Sequence, residues 1–290
     1  MKDTLHMNTM LVGLIGHPIK QTYSPFIHNL AFDINKLDYL YLPFDVPVSN
    51  LRNAIKGVVA LGIAGFNVTI PHKINIMQLL NNVSEEADAV GAVNTVVHDL
   101  GKLSGYNTDV YGVLKSLEKY KSDLDDREVS IFGGGGGARA VIYTLIRYFR
   151  PAKINLINRT EQKAEGIKTY FSEKMKFDDF ECYELLPANL VDILQNSKLI
   201  VNATSVGMYP ETDDIIIPLE KSFNKDQIVF DLVYNPVKTK LLNIASKHGA
   251  QIISGIPMLV YQASKSFELW TGETMPVESI KRSLELFIRG

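Results

Sequence analysis

The chain has 290 residues, 46% hydrophobic and 21% charged, a balance that excludes a disordered or fibrous protein; since domains cluster near roughly 100 to 150 residues, it points to two packed cores. With 30 basic against 32 acidic residues the net charge is −2, too little to capture nucleic acid or an anionic membrane, so a small molecule is the expected partner. Cys182 is the single cysteine, which excludes an intrachain disulfide and a multi-thiolate metal site and favours a reducing compartment.

The first apolar run, residues 10–15, is too short for a membrane span or a secretory core and ends at Gly16-His17-Pro18, so the cytoplasm is the expected location. Short apolar runs at 11–15, 39–44, 63–68 and 92–97 alternate with helical segments, a pattern that predicts a mainly parallel sheet covered by helices. Ser24-Pro25 and Ser49 read as helix starts with a capping hydroxyl, and Asp99-Leu100-Gly101-Lys102 reads as a hairpin turn. After Asp109 a helix is expected to about Tyr120, followed by a charged stretch, 121–128. A second alternating region then places strands at 129–132, 153–158, 199–202, 228–232 and 251–253, with Val141, Ile142, Leu145, Ile146 and Phe149 forming one helical stripe between the first two. This is the pattern of a doubly wound nucleotide-binding domain. From Pro257 two further helices are predicted, the second using Val277, Ile280, Leu284 and Ile288; they are expected to return to the first domain.

Five glycines, Gly133, Gly134, Gly135, Gly136 and Gly137, follow the strand at 129–132 and open a helix at Ala138. As Gly133-x-Gly135-x-x-Ala138 they fit the fingerprint in which glycines allow a tight turn and bring a pyrophosphate to a helix N-terminus. A P-loop ending is absent. Arg139, in the first helical turn, opposes the helix dipole unless an anion lies nearby; a bound phosphate and a solvated surface arginine both remain open. The next strand ends in Asn158-Arg159-Thr160, with Lys163 one turn on and no carboxylate to accept from a ribose 2′-hydroxyl. Guanidinium, hydroxyl and ammonium donors suit a 2′-phosphate, so NADP is predicted over NAD, although Asn158 and Thr160 also suit helix capping. The six histidines are scattered, without HExxH spacing, and no metal is expected. His72, beside Lys73, is read as pointing away from it on an extended segment and is given no catalytic role.

The runs Gly65-Phe66-Asn67-Val68-Thr69-Ile70-Pro71-His72-Lys73, Gly91-Ala92-Val93-Asn94-Thr95 and Gly105-Tyr106-Asn107-Thr108-Asp109 resemble the shikimate dehydrogenase family. So do Asn202-Ala203-Thr204-Ser205-Val206-Gly207-Met208, Asp231-Leu232-Val233-Tyr234-Asn235-Pro236 and Gly255-Ile256-Pro257-Met258-Leu259-Val260-Tyr261-Gln262. In family order these matches run over residues 11–272. The resemblance implies two α/β domains: a substrate-binding catalytic domain over 1–109 and a Rossmann-like NADP domain over 110–256. The helices of 257–290 return to the first, with a cleft between the domains where 3-dehydroshikimate is reversibly reduced to shikimate. It implies Lys73 and Asp109 as the catalytic pair. Thr22, Ser24, Thr69, Asn94, Tyr234 and Gln262 would hold the substrate's carboxylate and hydroxyls, with Asn67 beside them as a structural group. Met208, Leu232 and Gly255 would lie near the nicotinamide and Glu85 on the cofactor side. One departure is Thr22, where the family usually has serine in a Ser-x-Ser pair; its methyl narrows the carboxylate pocket.

Hydride delivery to a ketone builds negative charge on oxygen, which a lysine and a carboxylate together stabilise and protonate. Asn94 and Gln262 alternatively satisfy buried backbone groups, and Asp109 alternatively caps a helix. Two other functions fit less of the pattern. A quinate/shikimate enzyme of broader range is the first, and a non-catalytic NADP sensor, which needs neither Lys73 nor Asp109, is the second. A monomer or a homodimer is expected.

Overall fold

The computed structural model of the protein describes residues 6–19 and 22–289. Its chain divides into two compact units, Met1–Gly112 with Val260–Gly290, and Val113–Leu259.

Unit one is built on a sheet of order β2-β1-β3-β5-β6-β4, with β1 Met10–Gly16, β2 Tyr39–Asp45, β3 Gly65–Val68, β4 Asn82–Val83, β5 Thr95–Asp99 and β6 Lys102–Tyr106. β1 pairs in parallel with both β2 and β3, as the alternation predicts, but β3-β5-β6 is antiparallel. The sheet is therefore mixed but still mainly parallel, with three parallel pairings, β4–β6 among them, and two antiparallel ones. The reason is local: Leu100 and Gly101 have φ of 46° and 79°, the pair of positive values a two-residue hairpin loop demands, whereas a parallel crossover needs a dozen or more residues. The strand expected from 92 begins only at Thr95. Two-residue β4 left no readable pattern.

Neither predicted serine cap forms. Ser24 is the first residue of the helix Ser24–Ile34, where Pro25 is tolerated, and the hydroxyl of Thr22 accepts the Ser24 N–H at 3.2 Å. Ser49 sits inside the short turn Val48–Asn50 that leads into the helix Leu51–Ala60. After Asp109 the helix ends at Leu117 and continues as a tighter turn and a separate short helix, Lys121–Leu124. One face of the sheet buries Ile15, Phe66, Val68 and Val96 against Ile55, Val58 and Ile76. The C-terminal helices belong to this unit: Trp270, near the end of Gly255–Thr271, donates to the Val96 carbonyl at 3.0 Å. In the last helix, Val277–Arg289, Ile280 and Leu284 are buried and Phe287 stacks on Phe26.

Unit two has six parallel strands in the order β12-β11-β10-β7-β8-β9: β7 Glu128–Phe132, β8 Lys153–Asn158, β9 Phe180–Glu184, β10 Leu199–Asn202, β11 Ile228–Asp231 and β12 Gln251–Ile253. The chain starts in the middle, builds out through β8 and β9, then returns to the other side of β7, which makes the carboxyl end of β7 and β10 a topological switch point. Only β9 was not legible: it is an edge strand whose Glu181 and Glu184 face solvent and break the apolar run. The helix Gly136–Thr144 buries Val141 and Ile142, then loosens into a π-helical turn, Leu145–Phe149, that still buries Leu145 and Phe149.

Candidate active site

In unit one every catalytic candidate lies off one edge of the sheet. Thr69 and Lys73 follow the carboxyl end of β3, Thr22 and Ser24 follow β1 beside it, Asn94 leads into antiparallel β5, and Asp109 follows β6. Backbone bonds fix this edge: Thr69 N–H donates to Ile15 O at 2.9 Å, Val93 N–H to Lys73 O at 2.8 Å, and Asn94 N–H to Tyr106 O at 3.0 Å. The Lys73 ammonium thereby meets the Asp109 carboxylate, Nζ to Oδ2, at 2.5 Å, with side chains only 17% and 5% exposed. Such burial strengthens the attraction and holds the ammonium in one place.

The other Asp109 oxygen accepts from the Asn94 amide at 2.9 Å, and that amide also reaches Thr108 Oγ1 at 2.9 Å and Gln262 Oε1 at 3.4 Å. Lys73, Asp109, Asn94 and Gln262 are thus one cluster. The hydroxyls of Thr22 and Ser24 bond each other at 3.1 Å. Glu85 is exposed at the start of the helix Glu85–Val90, a favourable place for a carboxylate, and Ser84 is the cap there. His72 does turn from Lys73, though on a turn rather than an extended segment: its ring is buried, with Nε2 2.6 Å from the Val46 carbonyl.

Beneath the cluster lies a layer that sequence reasoning missed. Ser266 Oγ stands 2.8 Å from Thr95 Oγ1 and 3.1 Å from Thr108 Oγ1, and accepts from the Asn67 amide at 2.9 Å. Asn67 Oδ1 in turn accepts the Tyr41 hydroxyl at 2.8 Å, so the buried Asn67 side chain joins Tyr41 to Ser266. Ser266 carried one usable signal, its place four residues after Gln262 on the same helix face. Tyr41 carried none.

Unit two presents a different kind of edge. Gly133 has φ +114° and a Cβ there would stand 2.9 Å from the Ala203 carbonyl, so only glycine lets the loop turn and lie against β10. Gly134 packs on Asn158, whereas Gly135 faces open space and precedes the helix Gly136–Thr144 without any side-chain cap. Backbone N–H groups at that helix start are free to meet an anion, the donor chemistry a pyrophosphate needs. Arg159, Thr160 and Lys163 are exposed at the end of β8, and among the described residues neither Arg159 nor Lys163 enters an ion pair. Asn158 accepts the Arg159 N–H at 2.8 Å. Thr160 occupies the cap position of the helix Glu161–Met175 without a side-chain cap bond. These residues fit NADP. Arg139 is not a solvated surface arginine: its guanidinium lies 4.5 Å above the Tyr170 ring, and burial lowers its pKa. Met208 is 40% exposed on the loop after β10, Leu232 and Tyr234 are half-buried on the loop after β11, and Gly255 donates to the Val233 carbonyl at 3.2 Å. Among the described residues no helix is long and apolar enough to cross a membrane.

A glycine loop at the switch point of a doubly wound sheet, joined in one chain to a buried lysine–carboxylate pair, defines a two-unit α/β protein of the dinucleotide-dependent oxidoreductase class. Residues 14–96 match the family described as shikimate dehydrogenase substrate binding domain, and residues 255–285 match the shikimate 5′-dehydrogenase C-terminal domain. A shikimate dehydrogenase (NADP(+)) of Methanococcus maripaludis strain C7 is 43% identical over 293 residues, covering 100% of both chains. A solved shikimate dehydrogenase in complex with NADP+ superposes with a TM-score of 0.89 at 39% identity, covering 98% of each chain. Shikimate 5-dehydrogenase of Listeria monocytogenes, in complex with shikimate and NAD, gives 0.85 at 35% identity, covering 98% of this chain and 99% of that one. The chain belongs to the shikimate dehydrogenase family.

Proposed function

We propose that this protein is an NADP-dependent shikimate dehydrogenase, an oxidoreductase acting on a CH–OH group that interconverts 3-dehydroshikimate and shikimate on the route to chorismate and the aromatic amino acids. The observation that carries the mechanism is the 2.5 Å Lys73–Asp109 contact within the Asn94–Gln262 cluster. NADPH, when bound, supplies the hydride to the carbonyl carbon. Lys73 faces the oxygen on which negative charge grows, and the Lys73–Asp109 pair delivers the proton as a coupled unit. Asn94 fixes the Asp109 carboxylate, which in turn orients the ammonium. Thr22, Ser24, Thr69, Asn94 and Gln262 bind the substrate's carboxylate and hydroxyls, and the family resemblance adds Tyr234.

On the cofactor side Gly133–Gly137 admit the pyrophosphate, while Asn158, Arg159, Thr160 and Lys163 select the 2′-phosphate; Met208, Leu232 and Gly255 border the nicotinamide, and Glu85 is assigned to the same side by resemblance. Residues 1–109 with 257–290 form the substrate domain and 110–256 the NADP domain, positions close to where the compact units divide. The near-neutral charge suits an enzyme handling a small molecule, and the single cysteine suits the reducing cytoplasm; the assembly is a monomer or homodimer. The test is nicotinamide reduction, followed by absorbance, with shikimate and quinate in parallel and NADP and NAD in turn. Turnover with shikimate and NADP is expected to dominate. Tight NADPH binding without turnover of any cyclic acid would favour a sensor instead.

A further inference from the structure

The carboxyl end of the unit-two sheet holds a buried acid for which the reaction has no use. Asn202 and Asp231 are register partners at the last positions of β10 and β11, 1% and 0% exposed. Asp231 Oδ1 accepts from the Asn202 amide at 2.9 Å and from the Val233 N–H at 3.0 Å, while Oδ2 accepts from the Thr239 hydroxyl at 2.6 Å. Asn202 passes the restraint on: its Oδ1 accepts the N–H and hydroxyl of Thr204 at 3.1 and 2.7 Å, and Thr204 Oγ1 accepts the Val206 N–H at 3.1 Å. One carboxylate thus ties the loop after β10 to the loop after β11. The first abuts Gly133 through Ala203, and the second supports Gly255 through Val233.

We propose that Asp231 is a positioning residue for the cofactor, its buried negative charge holding the loops 203–208 and 232–239 in the register that the nicotinamide end of NADP requires. This rests on reading unit two as the NADP domain.

The charge is held without a cation. Asp231 meets an amide from β10, a backbone N–H and a hydroxyl from its own loop; Lys238 and Lys240, which flank Thr239, are exposed, and Lys240 pairs with Asp213 at 2.9 Å. Burial therefore raises the Asp231 pKa to about 6, with the three hydrogen bonds pulling the other way. Above that pH the ionised carboxylate, held by neutral donors alone, costs stability relative to its protonated form. A charge kept against stability beside a ligand edge is what a binding role leaves behind. When Oδ2 is protonated it must donate, so the Thr239 hydroxyl has to turn; that oxygen also caps the helix Lys240–Lys247 through the Leu242 N–H. Protonation therefore changes the Thr239 link at the loop's anchored end.

The test is equilibrium binding of NADPH to the full chain and to Asp231→Asn between about pH 5 and about pH 8. Because the cofactor's own 2′-phosphate titrates near pH ~6, the quantity read is the ratio of the two Kd values at each pH. The expected ratio is about tenfold near neutral pH, as charge-assisted bonds are lost, and approaches one below about pH 5, where wild type is itself neutral. The variant's thermal midpoint at neutral pH should not fall below wild type. A ratio near one throughout, or one that does not change with pH, overturns the inference. Should Asp231→Asn not fold, Thr239→Val and Thr239→Ser carry the same test: valine is expected to weaken NADPH binding and serine to preserve it, and equal affinity in both would overturn it. Failure of wild type to bind NADPH at all would sink the NADP-domain reading instead.

Discussion

The two units hold their polar groups in opposite ways. Around Asp109 in unit one, amides and hydroxyls satisfy one another under low exposure, so the geometry of the Lys73–Asp109 pair is set by side chains that have already found partners. At the glycine edge of unit two the donors are a helix start without a side-chain cap and exposed cations on β8's end. The Lys73–Asp109 pair is placed by a buried network, whereas the glycine edge is made of backbone shape and surface charge. Substitution in the first should change rate or stability, and in the second affinity.

The sharpest break in that contrast is Lys73→Ala, expected to lower kcat by about 10³-fold, the combined scale of lost charge stabilisation and proton transfer, and, because the buried Asp109 loses its cation, to lower the thermal midpoint as well. Lys73→Arg should recover part of the rate; an arginine variant no better than alanine would remove the case for charge.

Next comes acidification, which should act on the units with opposite sign. His28 in unit one is fully buried, stacked 4.4 Å from Tyr41, and neither ring nitrogen meets a hydrogen-bond partner among the described residues. Burial lowers its pKa to about 3. The unfolded chain therefore binds the extra proton first, and the stability present above pH ~6.5 is lost as pH falls towards about 3, by up to about 4 kcal/mol. Asp231 in unit two, raised to about 6, does the reverse: its folded form binds the proton first, so its contribution is largest in acid and is lost as pH rises from about 4 to about 6, by about 3 kcal/mol. Hydrogen exchange resolved by unit, compared with His28→Phe and Asp231→Asn, should show unit one weakening between pH ~6.5 and pH ~4 while unit two tightens, each effect disappearing in its own variant.

A smaller effect is expected at the strand end. Arg159→Ala should raise the NADPH Kd by about 10- to 100-fold, the worth of charge-assisted phosphate bonds, and leave NADH affinity and the thermal midpoint unchanged. Equal losses for both cofactors would place Arg159 elsewhere than on the 2′-phosphate. Smallest is Ser266→Ala, which removes one hydroxyl from a network whose other members retain partners. A loss of about 1 kcal/mol, read as a drop of about 2–4 °C in thermal midpoint, with kcat within about tenfold of wild type, is the expected result.

Local pattern was enough for much of this. The glycine run after β7, the cations closing β8 and the hairpin at Leu100-Gly101 are each legible because a turn, a helix start or a strand end imposes its residue types within a few positions. The serine caps failed for the same reason in reverse: Ser24 and Ser49 satisfy a local rule, but the chain enters those helices one residue earlier or through a tight turn. β9 and the π-helical turn at Leu145–Phe149 obey no pattern that distinguishes them from a loop and an ordinary helix.

What the amino-acid sequence determined by itself was the pair of alternating α/β regions and the glycine loop that opens the helix after β7. Only the tertiary structure decided that β5 and β6 run antiparallel to β3 and each other, respectively, that Ser266 and Asn67, 199 positions apart, share a hydrogen bond beneath Asn94, and that Asp231 is a buried charge tying two loops. The physical reason is that strand periodicity and turn chemistry act over a few residues and leave a local trace. A hydrogen bond between distant residues exists only once the sheet has brought them together, and neither partner's neighbours announce it.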